Sequence, residues 1–175
     1  MHGPDLAFLC LLDNVTISSL KAKKSFYPLC SGNCDIFDQI HPKITSVCCL
    51  IGAPVEMAVE QGAMGSESHL LGSTHLAARA QITEETKIEG FDYLSVAVVA
   101  GRKGFPENYQ GVSGGGLWHI PLSIDPEVGP SSIAYEHPEL VGVAFYQSDF
   151  NEQSRTIFCH GPKSIYEMLV EQIPR

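Results

Sequence analysis

Apolar residues recur along this chain in short segments that turn-forming residues separate. Between His75 and Ile82 every even-numbered residue is apolar and most of the others are polar, which predicts a strand with one buried face. Other apolar segments also predict strands: Leu6–Leu12, Ile44–Ile51, Tyr93–Ala100, Gly116–Leu122, Glu139–Gln147 and Arg155–His160. Many short strands with turns between them are typical of sandwiches and barrels, so the pattern predicts an all-β fold.

In the last part of the chain, the apolar residues recur with the period of a helix and not with that of a strand. Gly161 ends the preceding strand, and Pro162 suits the first position of a helix. Apolar residues then recur at helical spacing on one face: Ile165, Met168, Leu169 and Ile173. The sequence therefore predicts a C-terminal α-helix that docks on the β-structure.

Charge and hydropathy narrow the classes of partner. The chain has 175 residues, 44% of them hydrophobic, so it can bury a substantial core. Its formal net charge of -9 repels phosphate backbones and anionic lipid surfaces, and we expect no nucleic-acid partner. The one small basic cluster, Lys21, Lys23 and Lys24, is interpreted as a solvated loop face. No apolar segment approaches the roughly 18 residues that span a bilayer, so no membrane association is expected.

The cysteines bear on the compartment and on metal binding. The N-terminal segment has no basic residues before its apolar part, so we expect no signal peptide, a cytoplasmic protein and free thiols. Cys30, Cys34 and His41 are the candidate zinc ligands, but no second pair completes a tetrahedral set. We therefore predict no metal and no cofactor.

Ser113 is the candidate for chemistry, because it lies in the segment GVSGGGLW. A serine needs a base and preset oxyanion donors to act as a nucleophile, and glycines let successive backbone amides turn toward one point. A flexible glycine connector between two strands is the alternative. The GxSxG pattern also occurs in α/β-hydrolases, where Asp149 and His160 would complete the triad. The glycines and Pro121 after Ser113 disfavour the helix that this alternative requires.

Three segments together resemble the trypsin-like serine peptidases. GVSGGGLW resembles the GDSGGPL motif around their nucleophile, and PDLAFLCL, at Pro4–Leu11, resembles the DIALLKL segment with the catalytic aspartate. ELVGVAFYQ, at Glu139–Gln147, resembles the LxGIVSWG strand that aligns the substrate backbone, and the C-terminal helix is similar to theirs. The resemblance covers nearly all of the chain in the right order. It implies a trypsin-like β-barrel and a serine endopeptidase acting on peptide or protein substrates.

The resemblance also implies roles for individual residues. Ser113 would be the nucleophile, Asp5 would orient a histidine, and the backbone amides of Gly111 and Ser113 would form the oxyanion hole. Glu107 would lie at the base of the specificity pocket, and three residues would edge the substrate cleft: Phe145, Tyr146 and Gln147. Ordinary alternatives are a capping acid for Asp5 and an exposed loop acid for Glu107.

Departures from the family pattern shape the expected organisation. Val112 replaces an aspartate that pairs with a new N-terminal amine, so activation through that ion pair is excluded, and Gly116 replaces a proline. The family histidine precedes the aspartate by several strands, whereas only four residues precede Asp5. We therefore expect a chain that lacks the histidine and has little activity alone.

The expected domain organisation follows from the same resemblance. Residues 1–30 would be a remnant of the first barrel with its last strand or strands, 31–43 the linker between barrels, and 44–175 the second barrel and C-terminal helix. The alternative from another class is a non-catalytic barrel module that binds a partner peptide along Glu139–Gln147. Nothing in the sequence indicates an oligomeric state.

Overall fold

The structure, a computed structural model, describes residues 6–7, 10–24, 27–29, 45–62, 69–73, 75–123, 127–135, 137–148 and 154–170. A helix, α1, spans Asn14–Lys23. The strands are β1 (Thr45–Gly52), β2 (Ala58–Gly62), β3 (His69–Ser73), β4 (Leu76–Ile88), β5 (Phe91–Val99), β6 (Gly116–Ser123), β7 (Ala134–Tyr135), β8 (Glu139–Gln147) and β9 (Ser154–His160). Short 3-10 turns lie at Val55–Met57 and Gly129–Ser132, and a π-helix spans Ser164–Leu169.

Six antiparallel strands close into a barrel in the order β1, β4, β5, β9, β8 and β6, and β6 pairs again with β1. The short β7 extends from the end of β6, while β2 and β3 form a separate hairpin. The predicted all-β barrel is confirmed. Each barrel strand matches a segment that the hydrophobic pattern predicts, and β8 has the same bounds as its prediction.

Side chains at alternate positions of the strands are buried and fill the barrel interior. In β4, Leu76, Ala78 and Ala80 are buried and the residues between them are exposed, as the sequence pattern predicts. The other strands contribute further buried residues to one core: Leu50, Leu94, Val96, Val98, Leu117, Val141, Ala144, Ile157 and Cys159. Burial raises the pKa of the Cys159 thiol to about 12.

The N-terminal segment differs from its prediction. Leu6, Ala7 and Cys10–Leu12 are not in a strand, so the strand predicted over Leu6–Leu12 is wrong for the residues that are described. The following residues form α1, whose start is fixed by Asp13. Its carboxylate accepts hydrogen bonds from the Val15 amide at 3.3 Å and the Thr16 amide at 2.7 Å. The cluster Lys21, Lys23 and Lys24 is solvated as predicted, but it lies at the end of this helix.

An aromatic contact joins the described part of the N-terminal region to the barrel. The rings of Tyr27 and Trp118, on β6, are perpendicular to each other, with centroids 5.1 Å apart. The predicted linker at residues 31–43 lies outside the described residues, and the division into 1–30, 31–43 and 44–175 stays a prediction. None of the helices within the described ranges has the length and apolarity needed to cross a bilayer.

The C-terminal helical segment docks on the barrel through a buried aspartate. Asp92, on β5, is 2% exposed and accepts hydrogen bonds from the Lys163 amide at 3.0 Å and the Ser164 amide at 2.6 Å. Ile165 and Tyr166 are buried, as the expected docking requires. The geometry is that of a π-helix rather than the predicted α-helix, because the Val170 amide reaches the carbonyl of Ile165. The predicted contact of Ile173 lies outside the described residues.

Candidate functional site

The loop that carries Ser113 is shaped by glycines at two tight positions. Gly111 has a φ of +92°, and a Cβ there would lie 2.7 Å from Val55 Cγ2. A Cβ at Gly115 would lie 2.7 Å from the carbonyl oxygen of Ile51. Between them Val112 is buried in the core, while Ser113 is exposed. The apolar Val112 side chain therefore anchors the loop and presents the serine hydroxyl to solvent.

The backbone amides of this loop divide into two groups. The amide of Val112 donates to the carbonyl of Tyr109 at 3.0 Å, and the amide of Gly114 donates to the carbonyl of Ala144 at 2.8 Å. The amides of Gly111 and Ser113 donate to no acceptor within the described ranges. These are the two amides that the peptidase resemblance assigns to an oxyanion hole. Since no described residue accepts a hydrogen bond from them, both can donate to a ligand.

A cavity of about 330 Å³ lies beside Ser113. Its walls come from the loop before β6, from the end of β8 and from β9: Tyr109, Gln110, Gly111, Val112, Ser113, Ala144, Phe145, Tyr146, Gln147 and Ile157. The structure thus brings together the predicted nucleophile, the predicted oxyanion-hole residues and all three residues predicted to edge the substrate cleft. None of the lining residues that are described is charged.

The side chain of Gln147 joins β8 to the loop before Ser113. Its Oε1 accepts a hydrogen bond from the Tyr109 amide at 2.9 Å, and its Nε2 donates to Asn108 Oδ1 at 2.7 Å. The sequence predicted Gln147 at the cleft but gave no indication of this bridge, since the partners lie far apart in the chain. Gln147 is a positioning residue for the loop.

Glu56 holds the same loop from another side, and sequence reasoning did not single it out. Its carboxylate accepts hydrogen bonds from the amides of Glu107 at 3.2 Å and Asn108 at 2.8 Å. Arg155 Nε donates to the carbonyl of Glu107 at 2.8 Å. The Glu107 side chain is exposed and does not line the cavity. The structure therefore does not bring Glu107 to the cavity for which the resemblance proposed it.

Tyr109 anchors the loop in the core. It is 2% exposed, and its hydroxyl donates to the carbonyl of Val99 at 2.6 Å. Burial raises the pKa of this phenol to about 12. The Tyr109 hydroxyl therefore stays protonated and serves as an internal donor.

The expected partners of Ser113 are not assembled by the described residues. Asp5 lies outside them. His75 and His137 are exposed, and His119 is buried with its Nδ1 3.6 Å from Glu139 Oε2. His160 is buried and stacks on Phe145, with ring centroids 4.3 Å apart. Of the histidines whose side chains are described, none lines the cavity.

The sequence also raised an α/β-hydrolase site and a zinc site as alternatives. The α/β-hydrolase alternative is wrong in its fold, because Ser113 precedes strand β6 of an antiparallel barrel, and its Asp149 lies outside the described residues. The rejected zinc ligands Cys30, Cys34 and His41 also lie outside them. Within the described ranges, no group of three or more histidine, cysteine, aspartate or glutamate side chains is placed to hold a metal ion.

The fold and the loop are the features on which a functional assignment depends. The six-stranded antiparallel barrel is compatible with the trypsin-like barrel that the sequence resembles. Comparisons with protein-family models, with curated proteins and with solved structures give no match for this chain.

Proposed function

We propose that this chain is the second barrel of a trypsin-like serine endopeptidase and that Ser113 is its nucleophile. The observation that carries the proposal is the arrangement around one exposed hydroxyl. Ser113 borders a cavity of about 330 Å³, and the amides of Gly111 and Ser113 have no acceptor among the described residues. A nucleophile, free amide donors and a cavity for the substrate are the parts that acyl transfer requires at such a site.

In the proposed reaction, Ser113 Oγ attacks the carbonyl carbon of a peptide bond while a base takes its proton. The carbonyl oxygen becomes an oxyanion, which the Gly111 and Ser113 amides stabilise. Removing one such donor typically costs about 10²–10³ in turnover. The acyl-enzyme forms when the amine leaves with a proton from the base, and water then releases the acyl group.

The base is part of the proposal and comes from the family resemblance. In that family a histidine N-terminal to the aspartate accepts the serine proton, and the aspartate holds its tautomer. The resemblance makes Asp5 the corresponding aspartate and assigns the role of base to a histidine N-terminal to it. We therefore expect little or no turnover from the 175-residue chain alone.

The end of β8 supports a peptide as substrate. The pairing of β6 with β8 ends at Gly116 and Val143, whereas β8 runs on to Gln147. Beyond Ala144, this edge of β8 is not paired with β6 and lies beside Ser113. An extended peptide can add to such an edge through main-chain hydrogen bonds, which would place its carbonyl near the hydroxyl.

Fluorophosphonate labelling tests the proposal. The protein is produced as the 175-residue chain and as a longer chain that includes any coding sequence in frame upstream of Met1. We expect labelling of the longer chain, loss of labelling in Ser113→Ala, and full labelling in Ser123→Ala, which removes an exposed serine of β6. Labelling that persists in Ser113→Ala contradicts the nucleophile assignment.

A non-catalytic barrel that binds a peptide along the end of β8 is the second candidate. The observation that favours it is the absence of any described histidine from the cavity lining. A stop codon in frame close upstream of Met1, together with peptide binding and no fluorophosphonate labelling, would establish this alternative.

A further inference from the structure

The walls of the cavity beside Ser113 are mainly apolar, and none of the described lining residues is charged. Ala144 and Ile157 are each 2% exposed, and Phe145, which also lines the cavity, stacks on the ring of His160. The volume of about 330 Å³ falls at the lower end of the range of about 300–1,000 Å³ typical of small-ligand sites. The cavity is therefore suited to one side chain rather than to an extended ligand.

Two polar side chains of the cavity lining, those of Tyr109 and Gln147, already make hydrogen bonds inside the protein. The hydroxyl of Tyr109 donates to the carbonyl of Val99, and both ends of the Gln147 amide are bound to the loop at Asn108 and Tyr109. A ligand side chain in this cavity would displace these bonds to gain polar contacts of its own. The side chains of Gln110, Ser113 and Tyr146 are the other polar ones in the lining; all three are uncharged and exposed, so the buried part of the surface that the ligand meets is apolar.

The charges of the neighbouring loop do not reach the cavity. The Glu107 side chain is exposed, and the main chain of Glu107 is held by Glu56 and Arg155. A lysine or arginine side chain that entered the cavity would leave water without gaining a carboxylate partner among the described lining residues. Burial of an unpaired charge is strongly unfavourable, and the same penalty applies to an acidic side chain.

We infer that the cavity binds an apolar, uncharged side chain of the substrate and selects peptides that carry one next to the bond attacked by Ser113. This inference rests on the proposed function for its statement about cleavage. The preference of the cavity itself is a binding property and does not require a base.

Equilibrium binding to the ¹⁵N-labelled 175-residue chain tests the preference. The ligands are four acetylated tripeptide amides, Ac-Ala-Ala-X-NH₂, in which X is Phe, Leu, Lys or Glu. Dissociation constants come from shifts of the Gly111, Ser113 and Phe145 amide signals. We expect the Phe and Leu peptides to bind at least about tenfold more tightly than the Lys and Glu peptides. Tightest binding of the Lys or Glu peptide, or binding of none of the four, overturns the inference.

Two variants sharpen the result. Glu107→Gln should leave all four dissociation constants unchanged, and a selective loss of Lys-peptide binding in this variant overturns the inference in favour of Glu107 as a partner. Ala144→Val adds volume to the buried wall and should weaken Phe-peptide binding at least about tenfold, since overfilling a packed site is unfavourable. If Ala144→Val fails to fold, the ranking in the wild type and in Glu107→Gln still decides the question.

The outcomes separate this inference from the proposed function. Fluorophosphonate labelling of Ser113 combined with a preference for the Lys peptide overturns the inference and supports the peptidase. The expected ranking without labelling of the longer chain overturns the peptidase and supports an apolar peptide-binding cavity.

Discussion

Replacing Gly111 with alanine should destabilise the protein much more than the same change at Gly114. Both glycines have a positive φ, +92° and +84°, where an L-residue costs about 1–2 kcal/mol. At Gly114 a Cβ has no neighbour within 4 Å among the atoms described, so Gly114→Ala loses only that amount. At Gly111 the Cβ also lies 2.7 Å from Val55 Cγ2 and 3.1 Å from the Ala53 carbonyl oxygen.

The exposed Val55 side chain can turn away from the added methyl group, but the contacts at 3.1 Å with the Ala53 carbonyl oxygen and at 3.2 Å with the Val55 nitrogen involve backbone atoms. The Val55 amide donates to the carbonyl of Gln110 at 2.7 Å, which holds the two segments together. Overpacking of this kind costs about 1–3 kcal/mol. Together with the conformational cost, we expect Gly111→Ala to lower the free energy of unfolding by about 2–5 kcal/mol.

Urea denaturation measures both variants. Trp118, the single tryptophan, lies on β6 of the barrel and reports unfolding by its fluorescence. We expect a lower midpoint with an unchanged slope for both variants, since neither changes the surface exposed on unfolding. Equal midpoints for Gly111→Ala and Gly114→Ala would show that the segment at Val55 yields to the methyl group and does not hold the Ser113 loop in place.

Three further predictions concern the barrel and its ends. Asp92→Ala should lower the free energy of unfolding by at least about 1–3 kcal/mol, because it leaves amides of the C-terminal helix without an acceptor; Asp92→Asn, which keeps one acceptor oxygen, should lose less in the same denaturation assay. The hydrogen bonds from Thr16 hold the pKa of Asp13 below its ordinary value, so the capping of α1 is present at neutral pH and is lost as the pH falls through that lowered pKa. NMR shifts of α1 should show this acid fraying in the wild type but not in Asp13→Asn, whose amide caps without titrating; equal fraying in both would refute the role of the carboxylate. Iodoacetamide should modify Cys10, which is exposed, and spare Cys159 in the folded protein, since burial raises the Cys159 pKa to about 12. Mass spectrometry of the peptides that contain the two cysteines checks this. Equal modification of both would contradict the burial of Cys159.

The strands were predictable because their signal is local. The alternation of apolar and polar residues in β4, and the short apolar segments between turns elsewhere, reveal the type and the length of each element without knowledge of the strands that pair with it. The pairing of β1 with both β4 and β6, which closes the barrel, depends on register between distant segments and has no local signal. At the N-terminus the apolar segment Leu6–Leu12 suggested a strand. Asp13 before Asn14 was the available signal for α1, because aspartate is a favoured N-cap.

The motif of the candidate site was predictable from the sequence, but the side-chain contacts that hold its loop in place were not. The glycines around Ser113 mark a tight turn in any sequence, and the likeness of Glu139–Gln147 to a substrate-aligning strand placed that strand beside it. The contacts of Gln147 and Glu56 with the loop at Asn108 join residues about 40 and 50 positions apart, respectively, and no periodicity reports them. They follow only from the closed barrel.

The Gln147 bridge couples two features that would otherwise vary independently in evolution. One side chain fixes both the end of β8 and the loop that presents Ser113. A substitution selected for a new ligand along β8 would also shift the serine, unless a second change on the loop compensated for it. Mutations at Gln147 and Asn108 should therefore be epistatic, and new binding preferences should arise more readily through Tyr146, whose side chain is exposed and 63% accessible.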